Sequence, residues 1–474
     1  MNLGDAMRTL PVRIATLAVA VASLMASLTA SLIIASPAFA ADDLSSAVRA
    51  AFASDPLYAA AAAQARGGDA RRRQADALWR PQASLSVGGG IGGARSTMGG
   101  ASFSAPGFPD TTGASFRAGV DVGPYMRWVL QASQPIYGAE RSANARQLAA
   151  QAALADIRLE LAAQDLRLRV VQTWFDMLAA EDALALLDRQ RAAVVRALEE
   201  AQERYDAGDA PVTELREAQA RRDGLQAEWL AGQAQLRLQR AALEDLTGRP
   251  MAEPNRPGAP AFAAAAAAGP SLDDWSRRAV DASPMRRLFD LAEQMATDEL
   301  AKLRGWTSPT VDLVARASDE RLRGDGPWGD GRITASSQAI GVQVNVPLYT
   351  GGMRDAQRDE AASALERVRA ENADGRRTIR RQVRAAWEGL TTGIARIDAL
   401  RRSLASARTR LHATELGREA GARTTLDVLN AQAELFAAER ALQQAQYALL
   451  VDRARLAAAA GELDDAAIER IGGR

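Results

Sequence analysis

From Ala139 to Tyr205 the chain runs for 67 residues without a proline or a glycine. Nothing inside such a stretch stops a helix, and as one α-helix it is a rod of ~100 Å. A second rod spans about Met353–Ala420, with Gly375, Gly389, Gly393 and Gly417 as tolerated weak points. Val383, Leu390, Ile397, Leu404 and Leu411 recur every seven residues, as do Leu154, Leu161, Leu168 and Phe175. Seven-residue spacing makes a coiled-coil seam, so these rods bury a stripe against other helices, not inside a globule.

Each rod stops at a glycine, Gly208 or Gly421, which can adopt the left-handed conformation that closes a helix. A return helix follows, over 211–247 or 424–460. Pro211 with Glu214, or Thr424 with Asp427, marks its start. The acid also suits the positive end of the helix dipole. The two tips are copies of one motif, shifted by 213 residues. The shift extends to Gly248 and Gly461, and a shift of 228 relates Asp55-Pro56 to Ser283-Pro284 and Pro81 to Pro309. The mature chain therefore reads as two structural repeats, 41–249 and 271–461. They are joined by the Pro/Ala-rich linker 250–270, expected to be irregular, and followed by a short polar tail, 462–474. Each repeat carries, in order, a helix (about Ser46–Trp79 or Leu272–Trp306), two strands, a long helix and a return helix. Short helices stacked end to end beside each rod would match its length.

The strand regions, about 81–137 and 309–349, have period two. Ile340, Val342, Val344 and Val346 alternate with Gly341, Gln343 and Asn345, and Val311, Leu313 and Ala315 share a face. The change of offset places a longer loop in the first copy, within 88–115. Four strands with one apolar face cannot close a barrel, and an open edge is not tolerated in lipid. Three chains would supply twelve strands, an even number found among membrane barrels, and a ring of twelve helices. The expected fold is mainly α with transmembrane β, the trimer forming a twelve-stranded β-barrel on a long twelve-helix α-barrel. Trp79, Tyr137, Trp306 and Tyr349 flank the strands, as interfacial aromatics do; packing at the strand–helix junctions is the alternative.

Residues 1–40 have the form of a secretory signal: Arg8 and Arg13, an apolar stretch from Ile14 to Ala35, and the cleavage pattern Ala38-x-Ala40. No later window is long and apolar enough for a membrane helix. Without those residues the formal charge is −1, which gives no electrostatic case for nucleic acid. There is no cysteine and a single histidine, His412. One chain therefore holds no Cys₂His₂ or His₃ zinc site, no mature lipid anchor on cysteine is expected, and no constellation for an enzyme or cofactor stands out.

At this point the residues resemble the TolC family of outer-membrane efflux and secretion channels. The likeness rests on "VPLYTGG" at 346–352, on the C-terminal hairpin beginning "GARTTLDVLNAQAEL" at 421, and on "DPLYAAAAAQARGGDARRRQADALWRPQASLSV" at 55–87. Without cysteine the chain looks like the non-lipidated members, often linked to type I secretion and drug export. The resemblance implies a homotrimer in outer-membrane lipid that reaches through the periplasm. It also implies a periplasmic adaptor (membrane fusion protein) on the helix tips and an inner-membrane ABC or RND transporter as energy source. In "RTTLD" at 423–427 it implies a gate: a constraining Arg423 and an inward acid, Asp427, with Asn430 where the family has a second acid. Glu214 is expected to bond Arg423, within or between chains. Gly208, Asp209, Gly421 and Ala422 are the implied adaptor-docking residues; a plain turn is the other reading. The competing function is a periplasmic coiled-coil structural or adaptor protein without a pore.

Overall fold

The computed structural model describes residues 43–107, 109–251, 254–267, 269–304, 309–326 and 329–473. The signal-like segment and Trp306 lie outside them. The elements are α1 (Leu44–Ser54), α2 (Pro56–Ala77), β1 (Gln82–Phe103), β2 (Thr111–Tyr137), α3 (Ala139–Asp206), α4 (Val212–Thr247), α5 (Ala259–Ala266), α6 (Leu272–Ala282), α7 (Pro284–Arg304), β3 (Thr310–Gly326), β4 (Gly329–Asn345), α8 (Met353–Glu419), α9 (Thr425–Ala460) and α10 (Asp465–Gly472).

The strands form one antiparallel sheet in the order β1-β2-β3-β4, leaving β1 and β4 as edges. Its register aligns Leu85 with Leu130, Leu313 with Val342 and Ala315 with Ile340. Facing residues share a side, so these side chains make one continuous apolar face. That face is uncovered in the single chain: Ile340 is 76% exposed and Val342 62%. The other face is polar, with Ser84, Ser86, Gln131, Arg316 and Gln343 in the alternate register positions. The extra residues of the first copy lengthen β1 and β2 instead of forming the expected loop. Gly88 to Gly93 remain in the strand, and the Tyr125 ring stands over Gly90 and Gly92, filling the space where side chains would lie.

The long helix α3 packs along α2 and α4 on one flank and along α7 and α9 on the other, and α8 packs along α7 and α9. The helices thus form a row in which two broken rods alternate with two continuous ones. The breaks are butt joints. Gly248, with φ +68°, closes α4 against Ser54, whose hydroxyl donates to the Leu246 carbonyl at 2.7 Å. Gly461, with φ +78°, closes α9 against Ser283 and Pro284. The expected end-to-end stacking is therefore made by α2 on α4 and by α7 on α9. The helix before each proline leaves the line: α1 packs on α3 and α4, and α6 on α8 and α9.

With α5 and α10 these displaced helices form a belt around the middle of the row, and the main core lies there. Trp174, Phe175, Met177 and Leu178 of α3 meet Ile379 and Val383 of α8, Leu449, Leu450 and Leu456 of α9, and Leu44 and Val48 of α1. Two expectations change here. The C-terminal tail is not simply polar: α10 buries Ala467, Ile468 and Ile471, and Leu463 just before it is buried as well. The linker contains α5, where Pro260 sits in the first turn, a position that spares the missing N–H, and alanines carry the helix on.

Asp55 fastens the first butt joint. It caps α2 by accepting from Tyr58 N at 2.7 Å and pairs with Arg169 of α3 at 3.0 Å while 3% exposed. Burial pushes its carboxyl up, but the Arg169 and backbone hydrogen bonds outweigh it and hold the pKa below the ordinary value. A lowered folded-state pKa means stability that is complete above the unfolded value of about 3.9 and is lost as pH falls through the folded one. Asp55→Asn is expected to lower unfolding stability by roughly 1.5–3 kcal/mol at pH 7, with the difference from the parent shrinking below about pH 4. Unfolding in detergent at both pH values measures it.

Candidate functional site

The helical row ends in two hairpin tips, farthest along the chain from the sheet. Gly208 (φ +82°) and Gly421 (φ +73°) make the turns. With Asp209 and Ala422 they are exposed, forming the blunt end of the molecule. The first tip is tied by Arg204, which donates to the Asp209 carbonyl at 3.4 Å. In the second, Ala422 N donates to the Gly417 carbonyl at 2.8 Å.

The return helices start differently. Pro211 precedes α4 with no side-chain cap. Thr424 caps α9 reciprocally: its hydroxyl accepts from Asp427 N at 3.2 Å, and Asp427 accepts from Thr424 N at 3.0 Å. Those Thr424 hydrogen bonds, helped by the charge of Arg423, lower the Asp427 pKa.

Arg423, Asp427 and Asn430 come together in one groove of about 550 Å³ between α8 and α9, with Arg410, Thr414 and Glu434. Glu214 is elsewhere. It pairs with Arg204 of its own hairpin at 3.0 Å, so the expected bond from Arg423 is not made within one chain. Arg204 stands in the last turn of α3, directly across the same tip from Glu214 in the first turn of α4, and so takes the carboxylate. Arg423 instead lays its stem against Gly417.

Sequence reasoning missed the groups that join the two tips. Arg204 reaches across to Thr425 Oγ1 at 3.4 Å, and Arg418 of α8 pairs with Glu200 of α3. The latter pair borders a second groove of about 360 Å³, lined also by Arg196, Glu419, Val428 and Gln432. These contacts depend on which faces α3 and α8 turn toward α9 between them, and only the heptad seam in the sequence bears on that.

At the opposite end, Trp79, Tyr137 and Tyr349 all stand at the base of the sheet. Gln134 donates to the Trp79 carbonyl at 2.8 Å, Tyr137 is 49% exposed and Tyr349 87%. Trp128 was missed. It lies beside Val87 on the apolar side of the sheet, nine residues along β2 from Tyr137. At ~3.3 Å per residue and a tilted strand, that separation suits two aromatic girdles about 25 Å apart. Among the described residues no helix is long and apolar enough to cross a membrane, and no group of acids and histidines could hold a metal.

An apolar-faced, edge-open sheet mounted on a long helical row with a polar tip defines a subunit of an outer-membrane channel that extends into the periplasm. The chain belongs to the outer membrane efflux protein family, whose model matches residues 47–249 and 290–462. It is 28% identical over 362 residues to the alkaline protease secretion protein AprF of Pseudomonas aeruginosa, covering 76% of this chain and 74% of that one. It is 27% identical to the outer membrane protein TolC of Vibrio cholerae, covering 66% and 71%. Among solved structures, it superposes on CusC with a TM-score of 0.72 at 16% identity, over 88% of this chain and 92% of that one. The corresponding values for VceC of Vibrio cholerae are 0.69, 18%, 89% and 97%.

The reciprocal cap makes a pH prediction. Since the Asp427 pKa is lowered, its capping contribution is complete above the unfolded value of about 3.9 and declines as pH falls through the folded value. Amides in the first turn of α9 are expected to lose hydrogen-exchange protection in acid, and Asp427→Ala should show the same loss at neutral pH.

Proposed function

We propose that three copies of this chain form a passive export duct. The duct receives cargo at the helix tips from a periplasmic adaptor and an inner-membrane ABC or RND transporter, and it catalyses nothing. Relatives named for protease secretion make protein export the leading cargo reading, with drug efflux beside it. One observation carries the assembly: the row of helices is internally repeated but not closed. The flank that α3 presents to α7 and α9 has a counterpart on α8, and that counterpart has no partner within the chain.

The internal interface supplies a template for closure. Gln147 of α3 bonds Glu299 of α7 at 3.2 Å, and Gln164 donates to the Gly461 carbonyl at 3.1 Å. Tyr447 of α9 donates to Asp182 at 2.7 Å. The long and return helices repeat with an offset of 213, and the pre-strand helices with 228. On the next copy these contacts become Glu360 to Arg71, Arg377 to the Gly248 carbonyl, and Ala395 against Ala234. The first is a pair of opposite charges, the second a cation on a helix C-terminus, and the third a close small-residue approach. In the same operation β4 of one copy is set beside β1 of the next, and the sheet closes.

Glu360→Arg and Arg71→Glu should each lower the heat-dissociation midpoint of the trimer, and the double exchange should restore most of it. Exposed pairs contribute only ~0–1 kcal/mol each, but three equivalent interfaces act together. Equal losses in the single and double variants would count against this register.

The tips act as the gate in this reading. Arg418–Glu200 and Arg204–Thr425 hold the second hairpin against the first, and Asp427 gives the entrance its negative charge. Arg204→Ala with Arg418→Ala is expected to raise single-channel conductance in planar bilayers. Arg401→Ala breaks only a pair within α8, with Asp398 at 3.2 Å, and should leave conductance unchanged.

A further inference from the structure

Beneath α5 the belt forms a half-open pocket of about 90 Å³, lined by Ala261, Ala265, Trp275, Arg453, Glu462 and Arg470, among others. Its charges do not balance. Arg278 stacks on Trp275, 4.0 Å from the ring centroid, and donates to Glu462 at 3.2 Å. The single lining carboxylate is therefore already engaged. Arg453 lies on the same aromatic ring, 5.8 Å from its centroid. Its Nη1 is buried and, among the described residues, has no hydrogen-bond acceptor; Nη2 of Arg278 is in the same position. Arg470 enters the cavity from the exposed side of α10. Burial, together with the positive charges of Arg470 and Arg278, draws the Arg453 pKa below the ordinary arginine value.

Guanidinium groups remain charged in proteins, so neutralisation by proton loss does not relieve this arrangement. A buried donor without an acceptor is costly, and the alanine walls offer none. A space of that size exceeds the roughly 10–15 Å³ that one water needs, and one tetrahedral oxyanion fits it. We propose that this cavity binds a small inorganic oxyanion of the phosphate or sulfate type, held between Arg453 of α9 and Arg470 of α10. The bound anion ties the belt to a wall helix of the channel, and the site is complete within one chain, so it stands independently of the export reading.

The test uses the full chain in detergent. Its unfolding midpoint is followed against phosphate and sulfate, with chloride and acetate at matched ionic strength. The expected result is a saturable rise with phosphate or sulfate and none with chloride. Arg453→Gln should abolish that response. Arg470→Gln, at an exposed position where folding is not at stake, should weaken apparent affinity on the order of tenfold, as loss of a charge-assisted contact does. An equal rise with chloride, or a saturable response of unchanged apparent affinity in Arg470→Gln, overturns the site. A saturable response to acetate without one to phosphate overturns the ligand class.

Discussion

A sheet edge carries a row of unpaired N–H and C=O groups, and hydrocarbon offers nothing to pair with them. In this chain the edges are β1 and β4 of a four-stranded sheet whose apolar face includes Leu85, Val87, Leu130, Ile340 and Val342, all largely exposed. The apolar face calls for lipid, and lipid forbids the edges. Other copies must supply the missing neighbours, and the rest of the architecture conforms to that requirement. The helices run in a row with one flank of α8 unpartnered. The main core lies in a belt at mid-height, where a single chain can hold itself together before assembly.

The belt follows from two prolines. Pro56 and Pro284 begin new helices behind capping residues Asp55 and Ser283, and the segments before them turn aside. Had the helices run straight, the row would have been four rods with no side cover, and Trp174, Phe175, Met177 and Leu178 would have lost part of their cover. Turned aside, α1 and α6 bring Leu44, Val48 and Trp275 onto them, and α10 closes the cluster with Ile468. Asp55 links these levels: the residue that caps α2 also neutralises Arg169 on the rod beside it.

The rods, tips and sheet face were legible in the sequence because each rests on a local regularity: seven-residue seams, glycine at a helix end, alternation in a strand. Where the regularity fails, so does the reading. Gly88 to Gly93 have no side chains to alternate, so the true length of β1 was hidden behind a glycine count. The helix α10 is eight residues long, too short to display a period, though Leu463, Ile468 and Ile471 are its anchors. At the tips, the Thr424–Asp427 cap was readable because it closes over three residues. The Arg418–Glu200 pair was not, because its partners are 218 residues apart and meet only once α3 and α8 have packed on either side of α9.

The two repeats share a backbone plan but not the chemistry of their tips, and that difference bears on how a trimer opens. The positions equivalent to Glu200 and Arg204 are Ala413 and Gly417; the position equivalent to Arg418 is Tyr205, and that equivalent to Thr425 is Val212. The polar latch therefore exists only once per chain, between its own hairpins. The matching seam between copies would set Ala413 and Gly417 near Tyr205 and Val212, which are 42% and 45% exposed in the single chain. Apolar surfaces slide without a preferred register, whereas hydrogen-bonded ion pairs hold a geometry until they break. In the proposed trimer, then, the hairpins of one chain stay paired until their latch is released, and the smooth seams between chains accommodate the resulting rotation. An iris built this way divides its six seams into three latches and three hinges. In that trimer the duplication makes the ring, and the divergence of its tips sets the direction in which it opens.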